Sequence, residues 1–340
     1  MDASGTIRAT VPNRVDLAGG TLDIYPLYLL VPGALTVNAA IDIRSVVEIR
    51  ATRGPARLVS GNFRVRAEAR DTHAFRTEGP LGLIAAALRC FPPCRGIEIS
   101  FFNEAPVGSG LGASSALLVA AMVAMDVRLG CRRPWEETAR AAMEIEAAHL
   151  RTLTGRQDHI AALRGGIQAI RFLPGRIEAT RIPPGGAVGR ELSARSFLAS
   201  TGKAHRSGSV NWRMVRKAIA GDPDVLRKFS GIAGAARDAW EALSAGDVSG
   251  AGRAVAGEWR IRRTLAAGIS LPRVDSVFAS RAFRDGVAGA KLCGAGGGGM
   301  LFGILRDPSA RTGVESLLAG MGFALFPFRP AGGPAVERRA

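Results

Sequence analysis

Lysine is nearly absent from this chain: it occurs only at Lys203, Lys217, Lys228 and Lys291, although lysine and arginine together number 45 against 29 acidic residues. The basic charge is therefore carried by arginines, spread singly rather than gathered into a run. A formal net charge of +16 raises nucleic-acid binding as a function class. Aromatic residues make up only 6%, however, and no aromatic-interleaved RNA motif accompanies the arginines. Nucleic acid is not expected as the main partner; the charge favours anionic small molecules such as nucleotides and sugar phosphates.

Cysteine is equally sparse, and Cys90, Cys94, Cys131 and Cys293 have no paired C-x-x-C spacing for a metal. His73 and His149 have no partner at metal-ligand spacing either. There is no charged, apolar, small-residue leader, so a reduced cytoplasmic location is expected. The longest apolar run, Ala116 to Met125, is too short to span a bilayer, and Pro26, Pro32 and Gly33 interrupt the other candidate, Ile24 to Val37. A chain of 340 residues with 47% hydrophobic content can bury a sizeable core, and two closely packed domains are expected.

What the chain does have is a glycine- and serine-rich turn, Pro106-Val-Gly-Ser-Gly-Leu-Gly-Ala-Ser-Ser-Ala116, between a strand-like segment, Ile97 to Phe102, and an apolar helical run, Ala113 to Leu129. Glycines let backbone N–H groups close on an anion, and the helix N-terminus adds its positive dipole end. Pro106, Gly108, Ser109, Gly110, Leu111, Gly112, Ala113, Ser114 and Ser115 are therefore candidates to cradle the phosphates of a nucleotide. A tight turn whose serines only cap the helix is the plainer alternative. The stretch is not a P-loop, since no Gly-Lys-Ser/Thr follows, and it lacks the strand and acidic ribose partner of a dinucleotide fold.

Around this turn the pattern is α+β. Strand-like alternation runs from Thr36 to Arg50 and, more weakly, from Phe63 to Ala69, with a helix near Leu81 to Arg89. Pro134, Glu136 and Glu137 start a helix reaching Leu150, and Ile167 to Leu173 reads as a returning strand. The cluster Pro183-Pro-Gly-Gly186 marks a domain junction, giving expected domains of 1–186 and 187–340. The second half reads as a strand at Ser196 to Ser200, helices from Ser209 to Arg284, two strands flanking a glycine run, and a final helix and strand over Ser309 to Pro327. Trp135, Trp212, Trp240 and Trp259 fall at helical positions and read as packing anchors.

The order Pro-x-x-x-Gly-Leu-Gly-x-Ser-Ser-Ala resembles the second motif of the GHMP kinases, the family of galactokinase and the homoserine, mevalonate and phosphomevalonate kinases. Pro12-Asn-Arg-Val-Asp-Leu-Ala-Gly-Gly-Thr-Leu-Asp23 resembles that family's first motif and Lys291-Leu-Cys-Gly-Ala-Gly-Gly-Gly-Gly-Met300 its third. The resemblance implies an N-terminal domain like the second domain of ribosomal protein S5, a ferredoxin-like C-terminal domain, and ATP with Mg2+ between them. It implies an alcohol-directed phosphotransferase acting on a sugar or sugar phosphate, as a monomer or homodimer. A mevalonate-type isoprenoid kinase and a non-catalytic homologue binding a ligand or RNA are the alternatives.

Under that resemblance, Ser115 and Glu146 would hold the metal, since a hard cation takes oxygen ligands. Glu146 stands twelve positions before Asp158, as the metal glutamate and catalytic aspartate do in galactokinase-like members. Glu144 is the competing carboxylate, and the two point about 200° apart on a helix. Asp158, in Thr154-Gly-Arg-Gln-Asp-His-Ile-Ala-Ala-Leu-Arg-Gly-Gly166, would orient the acceptor hydroxyl or take its proton; its alternative role is a helix N-cap. Arg14 is the catalytic cation beside it.

The acceptor would meet Arg14, Gly20, Asp23, Asp158, Gly296 and Gly297. The alternative for Asp23 is a turn residue. Galactokinases read Gly-Glu-His-Thr-Asp where this chain reads Gly19-Gly-Thr-Leu-Asp23, so the pattern lies closer to the D-glycero-D-manno-heptose 7-phosphate kinase branch. Lys203, His205 and Arg206 open the second half with cationic groups that suit an anionic acceptor or a solvated loop.

Overall fold

The computed structural model describes residues 5–204 and 208–339. Of the cationic group at the start of the second half, Lys203 is exposed, whereas His205 and Arg206 lie outside the described residues. Twelve strands form two sheets. In the first are β1 (Thr6–Ala18), β2 (Thr36–Ala51), β3 (Ala56–Ser60), β4 (Val65–Ala69), β5 (Ile97–Asn103), β6 (Ile167–Leu173) and β7 (Arg176–Ile182). The second holds β8 (Ser196–Ser200), β9 (Val287–Leu292), β10 (Met300–Leu305) and β11 (Ala324–Phe326), and the last strand, β12 (Ala335–Arg339), returns to pair with β1.

The first sheet runs β12-β1-β2-β5-β3-β4, and the long β2 serves two neighbours in turn. Its first residues, Thr36 to Ala39, pair with β6, and its later residues, Ser45 to Ala51, pair with β5. The second sheet runs β11-β8-β10-β9 with every pairing antiparallel. Counted within this half, that is the order 4-1-3-2 with helices between its outer pairs, the ferredoxin-like arrangement expected. The position expected for the junction, 186/187, lies between β7 and the helix Ala187–Arg195.

The 13-residue strand β1 was not legible as a strand, because Pro12, Asn13, Arg14 and Asp16 interrupt its apolar alternation. Proline removes a ladder donor, and the register shifts at Pro12/Asn13 and again at Asp16/Ala18. Such irregularities re-aim side chains. Here they flank Arg14 and Asp16, which stay paired with Ala40 and Asn38 and line the functional cavity. The strands β3, β7 and β12 are also additional to the sequence reading.

Helix boundaries follow their capping chemistry. The helix Ala113–Leu129 stops at Gly130 in a left-handed conformation, whose N–H bonds back to Asp126 and Val127 carbonyls. Asp222 caps Pro223–Ser244 by accepting from the N–H groups of Asp224 and Val225, and Asp247 caps Val248–Arg262 by accepting from Gly250. Of the four tryptophans, Trp259 is buried and stacks on Phe278, but Trp212 is 49% exposed. Trp212 therefore anchors nothing in the core, a correction to its expected role.

Among the described residues the apolar side chains gather in one large cluster in each half, in a third that joins the halves, and in a small fourth around Ala139, Ile160, Ile170 and Phe172. The third places Val15, Leu17, Val37 and Ile41 of the first sheet against Leu198, Phe302 and Ile304 of the second and Ala236 and Val255 of the helix pair. No helix among the described residues is long and apolar enough to cross a membrane. The helix Val248–Arg262 approaches β9 so closely that a Cβ at Gly289 would lie 1.8 Å from the Gly252 carbonyl oxygen. Gly289→Ala is expected to destabilise the protein by about 2–4 kcal/mol in urea unfolding, because backbone on both sides must move; a change below about 0.5 kcal/mol would show that the contact is loose.

Candidate functional site

The three glycine-bearing segments meet at a cavity of about 290 Å3, open on one side. Its wall includes Arg14, Asp16, Gly20, Thr21 and Asp23 from the first segment, Gly108, Ser109, Gly110, Gly112, Ala113, Ser114 and Ser115 from the second, and Gly294 and Ala295 from the third. Glu146, Gln157 and Asp158 complete it, with Leu150 and Thr152 to Gly155 along one side. Residues scattered over most of the chain are thus brought within one small volume.

The turn before Ala113 is built for close approach. The helix it opens has no side-chain cap, so its first N–H groups are left to whatever occupies the cavity. Gly112 has φ 69°, and a Cβ there would lie 3.2 Å from the Asp158 carboxyl carbon. Only glycine combines that backbone with that neighbour. The buried Ser109 hydroxyl has no protein partner, while its carbonyl accepts from Met300 N–H at 2.9 Å and so ties the turn to β10.

Below the turn, Asn13, Ser45 and Asn103 form a buried amide and hydroxyl network. Asn103 also donates to the Ala113 carbonyl at 3.1 Å and accepts from Ala105 N–H at 2.7 Å. Both ends of the turn are thereby fixed to β1 and β2. Pro106 and Leu111 do not line the cavity: Leu111 is fully buried in the joining core, and its carbonyl accepts from Arg14 N–H at 3.0 Å.

Arg14 and Asp158 make the central ion pair. Arg14 Nε donates to Asp158 Oδ1 at 2.7 Å and Nη1 to the Gly110 carbonyl at 2.6 Å. Burial works against the Arg14 charge, but the carboxylates of Asp158 and Asp16 outweigh it and hold the guanidinium pKa above its usual value. Asp158 is the second residue of the helix Gln157–Arg164, whose N-cap position is Arg156, so Asp158 does not act as the N-cap. It occupies the first turn, where the helix dipole favours its anion.

Glu146 and Ser115 meet at the far end of the cavity, with Ser115 Oγ donating to Glu146 Oε2 at 2.6 Å. Glu144 is exposed on the other side of the helix Trp135–Leu150 and is excluded from the cavity. His159, which the sequence reading passed over, is fully buried with Nε2 3.0 Å from Glu146 Oε2. Burial alone would raise the Glu146 pKa; contact with His159 and hydrogen bonds from Ser115 and Ser114 overcome it and keep the carboxylate low. Two hard oxygen groups on the wall suit Mg2+, which takes few protein ligands and completes its shell with phosphates and water. Among the described residues no group of three acidic, histidine or cysteine side chains forms a closed metal cage.

Asp23 is held from the opposite side. Its carboxylate accepts from Gln157 N–H at 3.0 Å and from Gln157 Nε2 at 3.2 Å. Its signal was the motif position; the role of Gln157, 134 residues away in sequence, had none. Gly296 and Gly297 are displaced from their expected place on the wall. Gly297 N–H donates to the Ile269 carbonyl at 2.7 Å, and a Cβ at Gly296 would meet that same oxygen at 2.5 Å. These glycines pack the third segment against the backbone behind it, leaving Gly294 and Ala295 at the surface of the cavity.

With this geometry in hand, comparison with known proteins finds two family models. GHMP kinases N terminal domain matches residues 80–166 and GHMP kinases C terminal matches 239–319. The chain is 26% identical to D-glycero-alpha-D-manno-heptose 7-phosphate kinase of Campylobacter jejuni over 92% of this chain and 93% of the relative. It is 25% identical to mevalonate kinase of Archaeoglobus fulgidus over 85% and 91% of the two chains. The crystal structure of Lactococcus lactis galactokinase with galactose superposes with a TM-score of 0.80, covering 98% of this chain and 96% of that one at 18% identity.

Burial, followed by the Asp158 charge, pushes the Asp23 carboxyl up to about 6. An unfolded aspartate titrates near 4. The native state therefore keeps a proton the unfolded chain has lost, so this residue's contribution is greatest below pH 4 and is lost as pH rises through 6. Asp23→Asn has no such dependence. Between pH 4 and 7 the variant is expected to gain stability relative to the parent by on the order of 2–3 kcal/mol in urea unfolding; a difference that stays flat with pH would place the Asp23 pKa at its ordinary value.

Proposed function

We propose that this chain, which belongs to the GHMP kinase superfamily, transfers the γ-phosphate of ATP to a hydroxyl of a sugar or sugar phosphate. The chain is a phosphotransferase with an alcohol group as acceptor, and ATP is the phosphate donor of GHMP kinases. The observation that carries the sugar reading is Asp23. A buried carboxyl on the wall, beside Asp158, supplies acceptor lone pairs to the hydroxyls of a polyol. A mevalonate-type acceptor is itself a carboxylate and would be repelled by the Asp23 and Asp158 charges. Within sugars, a heptose 7-phosphate is the first candidate, on the likeness to the Campylobacter jejuni relative.

In the proposed reaction the turn from Gly108 to Ser115 holds the nucleotide phosphates through backbone N–H groups and the open helix N-terminus. Ser115 Oγ and Glu146 would hold Mg2+, which would offset the negative charge of the nucleotide phosphates when bound. His159 and Ser115 keep the Glu146 carboxylate ionised and oriented for that role. Asp158 accepts a hydrogen bond from the attacking hydroxyl and takes its proton as the oxygen bonds to the γ-phosphorus and the bond from that phosphorus to ADP breaks, ADP leaving with the bonding electron pair. Arg14, fixed by Asp158 and the Gly110 carbonyl, places positive charge beside the equatorial phosphoryl oxygens. Residues 1–186 supply the nucleotide turn and the Arg14–Asp158 pair; residues 187–340 supply Gly294 and Ala295 on the remaining side of the cavity.

Two substitutions separate these roles. Asp158→Asn is expected to leave Mg·ATP affinity within about twofold while lowering turnover by about 10²-fold or more, read as ADP release against heptose 7-phosphate, mannose, galactose, fucose, galacturonate, arabinose and mevalonate. Near-parental turnover would remove Asp158 from the mechanism, and activity on mevalonate alone would reverse the choice of acceptor. Glu146→Gln is expected to raise the Mg2+ concentration for half-maximal turnover about 10–100-fold; an unchanged Mg2+ requirement would exclude Glu146 as its ligand.

A further inference from the structure

Beneath the acceptor side of the cavity lies a second group of charges, all shut off from solvent: Asp16, Glu258, Arg262 and Lys291 are each no more than 1% exposed. Lys291 Nζ lies 2.8 Å from Asp16 Oδ2 and 3.2 Å from Glu258 Oε2, and Arg262 Nε lies 2.6 Å from Glu258 Oε1. Two cations and two anions balance. What does not close on itself is the far edge of the Arg262 guanidinium: Nη2 donates to the Gly20 carbonyl at 2.6 Å and Nη1 to Thr21 Oγ1 at 3.3 Å.

Gly20 and Thr21 form the middle of the turn that carries Asp23 into the cavity. That turn is held in an unfavourable shape. Thr21 has φ 77°, a region that β-branched residues rarely adopt and that persists only where the surroundings impose it. From below, the Asp16 carboxylate fills the space under Gly20, where a Cβ would lie 2.2 Å from Oδ2. From the side, the guanidinium ties both carbonyl and hydroxyl to the last turn of the helix Val248–Arg262. The nucleotide turn is attached elsewhere, through Arg14, Asn103 and Met300, and makes no bond to Arg262.

We infer that Arg262, itself oriented by Glu258, is a positioning residue for the acceptor: it holds the turn 19–23 in the conformation that aims Asp23 at the cavity beside Asp158. This rests on the reading of Asp23 as an acceptor ligand. Substrate selection on one half of the molecule then depends on a side chain of the other half that touches no substrate. The dependence is one-sided, since the acceptor loop is fixed by Arg262 and the nucleotide turn is not.

The test uses the full chain with the double substitution Glu258→Gln and Arg262→Met, which removes one buried charge of each sign and keeps the Lys291–Asp16 pair. Amide hydrogen exchange of peptides covering 17–24 is expected to accelerate tenfold or more, with peptides covering 108–116 unchanged and the Kd for Mg·AMP-PNP within twofold of the parent. With D-glycero-D-manno-heptose 7-phosphate as the acceptor probe, its KM is expected to rise at least tenfold while the KM for ATP holds. Unchanged exchange at 17–24 would overturn the inference. So would exchange that rises equally in every peptide, which marks a merely structural role, or an active variant with faster exchange but the parent's acceptor KM. If the double variant does not fold, Arg262→Lys, which retains the charge toward Glu258 but has a single nitrogen in place of the three that reach Glu258, Thr21 and Gly20, is read on the same peptides with the same outcomes. Parental inactivity toward the heptose phosphate refutes that choice of acceptor alone, because the exchange comparison still decides the role of Arg262.

Discussion

Arg14 joins three separate stretches of chain at once, and the cavity exists because it does. Its backbone N–H bonds to Leu111, its Nη1 to Gly110, and its Nε to Asp158. The first two hold the nucleotide turn to β1; the third holds the helix Gln157–Arg164 to the same strand. A guanidinium suits this position because its donors lie in a fixed fork, which presents Nε to the carboxylate and Nη1 to the carbonyl from one rigid plane.

Buried charge is costly, and the fold meets that cost by pairing, within the first half at Arg14 and Asp158 and across the halves at Lys291 and Asp16. Arg14 faces Asp158, Lys291 faces Asp16 and Glu258, and Arg262 faces Glu258 and the turn at Gly20. Ion pairs of this kind add little net stability over apolar packing, but breaking one leaves an uncompensated charge in the interior. They therefore act as registry devices: the apolar cluster between the sheets tolerates small slips, while the charges accept only the alignment in which every partner is present. Close backbone contact between Gly252 and Gly289 brings the helix near enough for Glu258 to reach Lys291. The geometry of the site is in this way inherited from the geometry of the core.

The glycine-bearing segments were legible in the sequence because their requirements are local. A turn that needs left-handed backbone and room for an anion shows its glycines and serines side by side, and the helix after it shows its own apolar run. Glu146 and Asp158 were legible as a spacing. Other parts had no local signature. Arg262 and Gly20 stand 242 positions apart, Lys291 and Asp16 stand 275 apart, and nothing in either stretch announces the partner. His159 was hidden for a different reason: nothing local marks it, and its ring meets Glu146 only once the two helices pack together. The strand β1 has a broken alternation because two of the side chains that interrupt it, Arg14 and Asp16, serve the cavity.

Composition and site meet at Lys291. Of 45 basic residues four are lysines, and one of the four lies fully buried at the centre of the charge cluster. There the cation must satisfy two carboxylates, Asp16 and Glu258, that approach from different elements. An ammonium is compact and its donors rotate to suit both; a guanidinium is wider and presents its donors in one plane. Glu258 already spends one oxygen on the planar fork of Arg262, and Asp16 lies tight beneath Gly20, so the remaining space admits a point charge and not a second fork. In a chain that otherwise carries its positive charge on arginine, the lysine stands where geometry forbids the substitution.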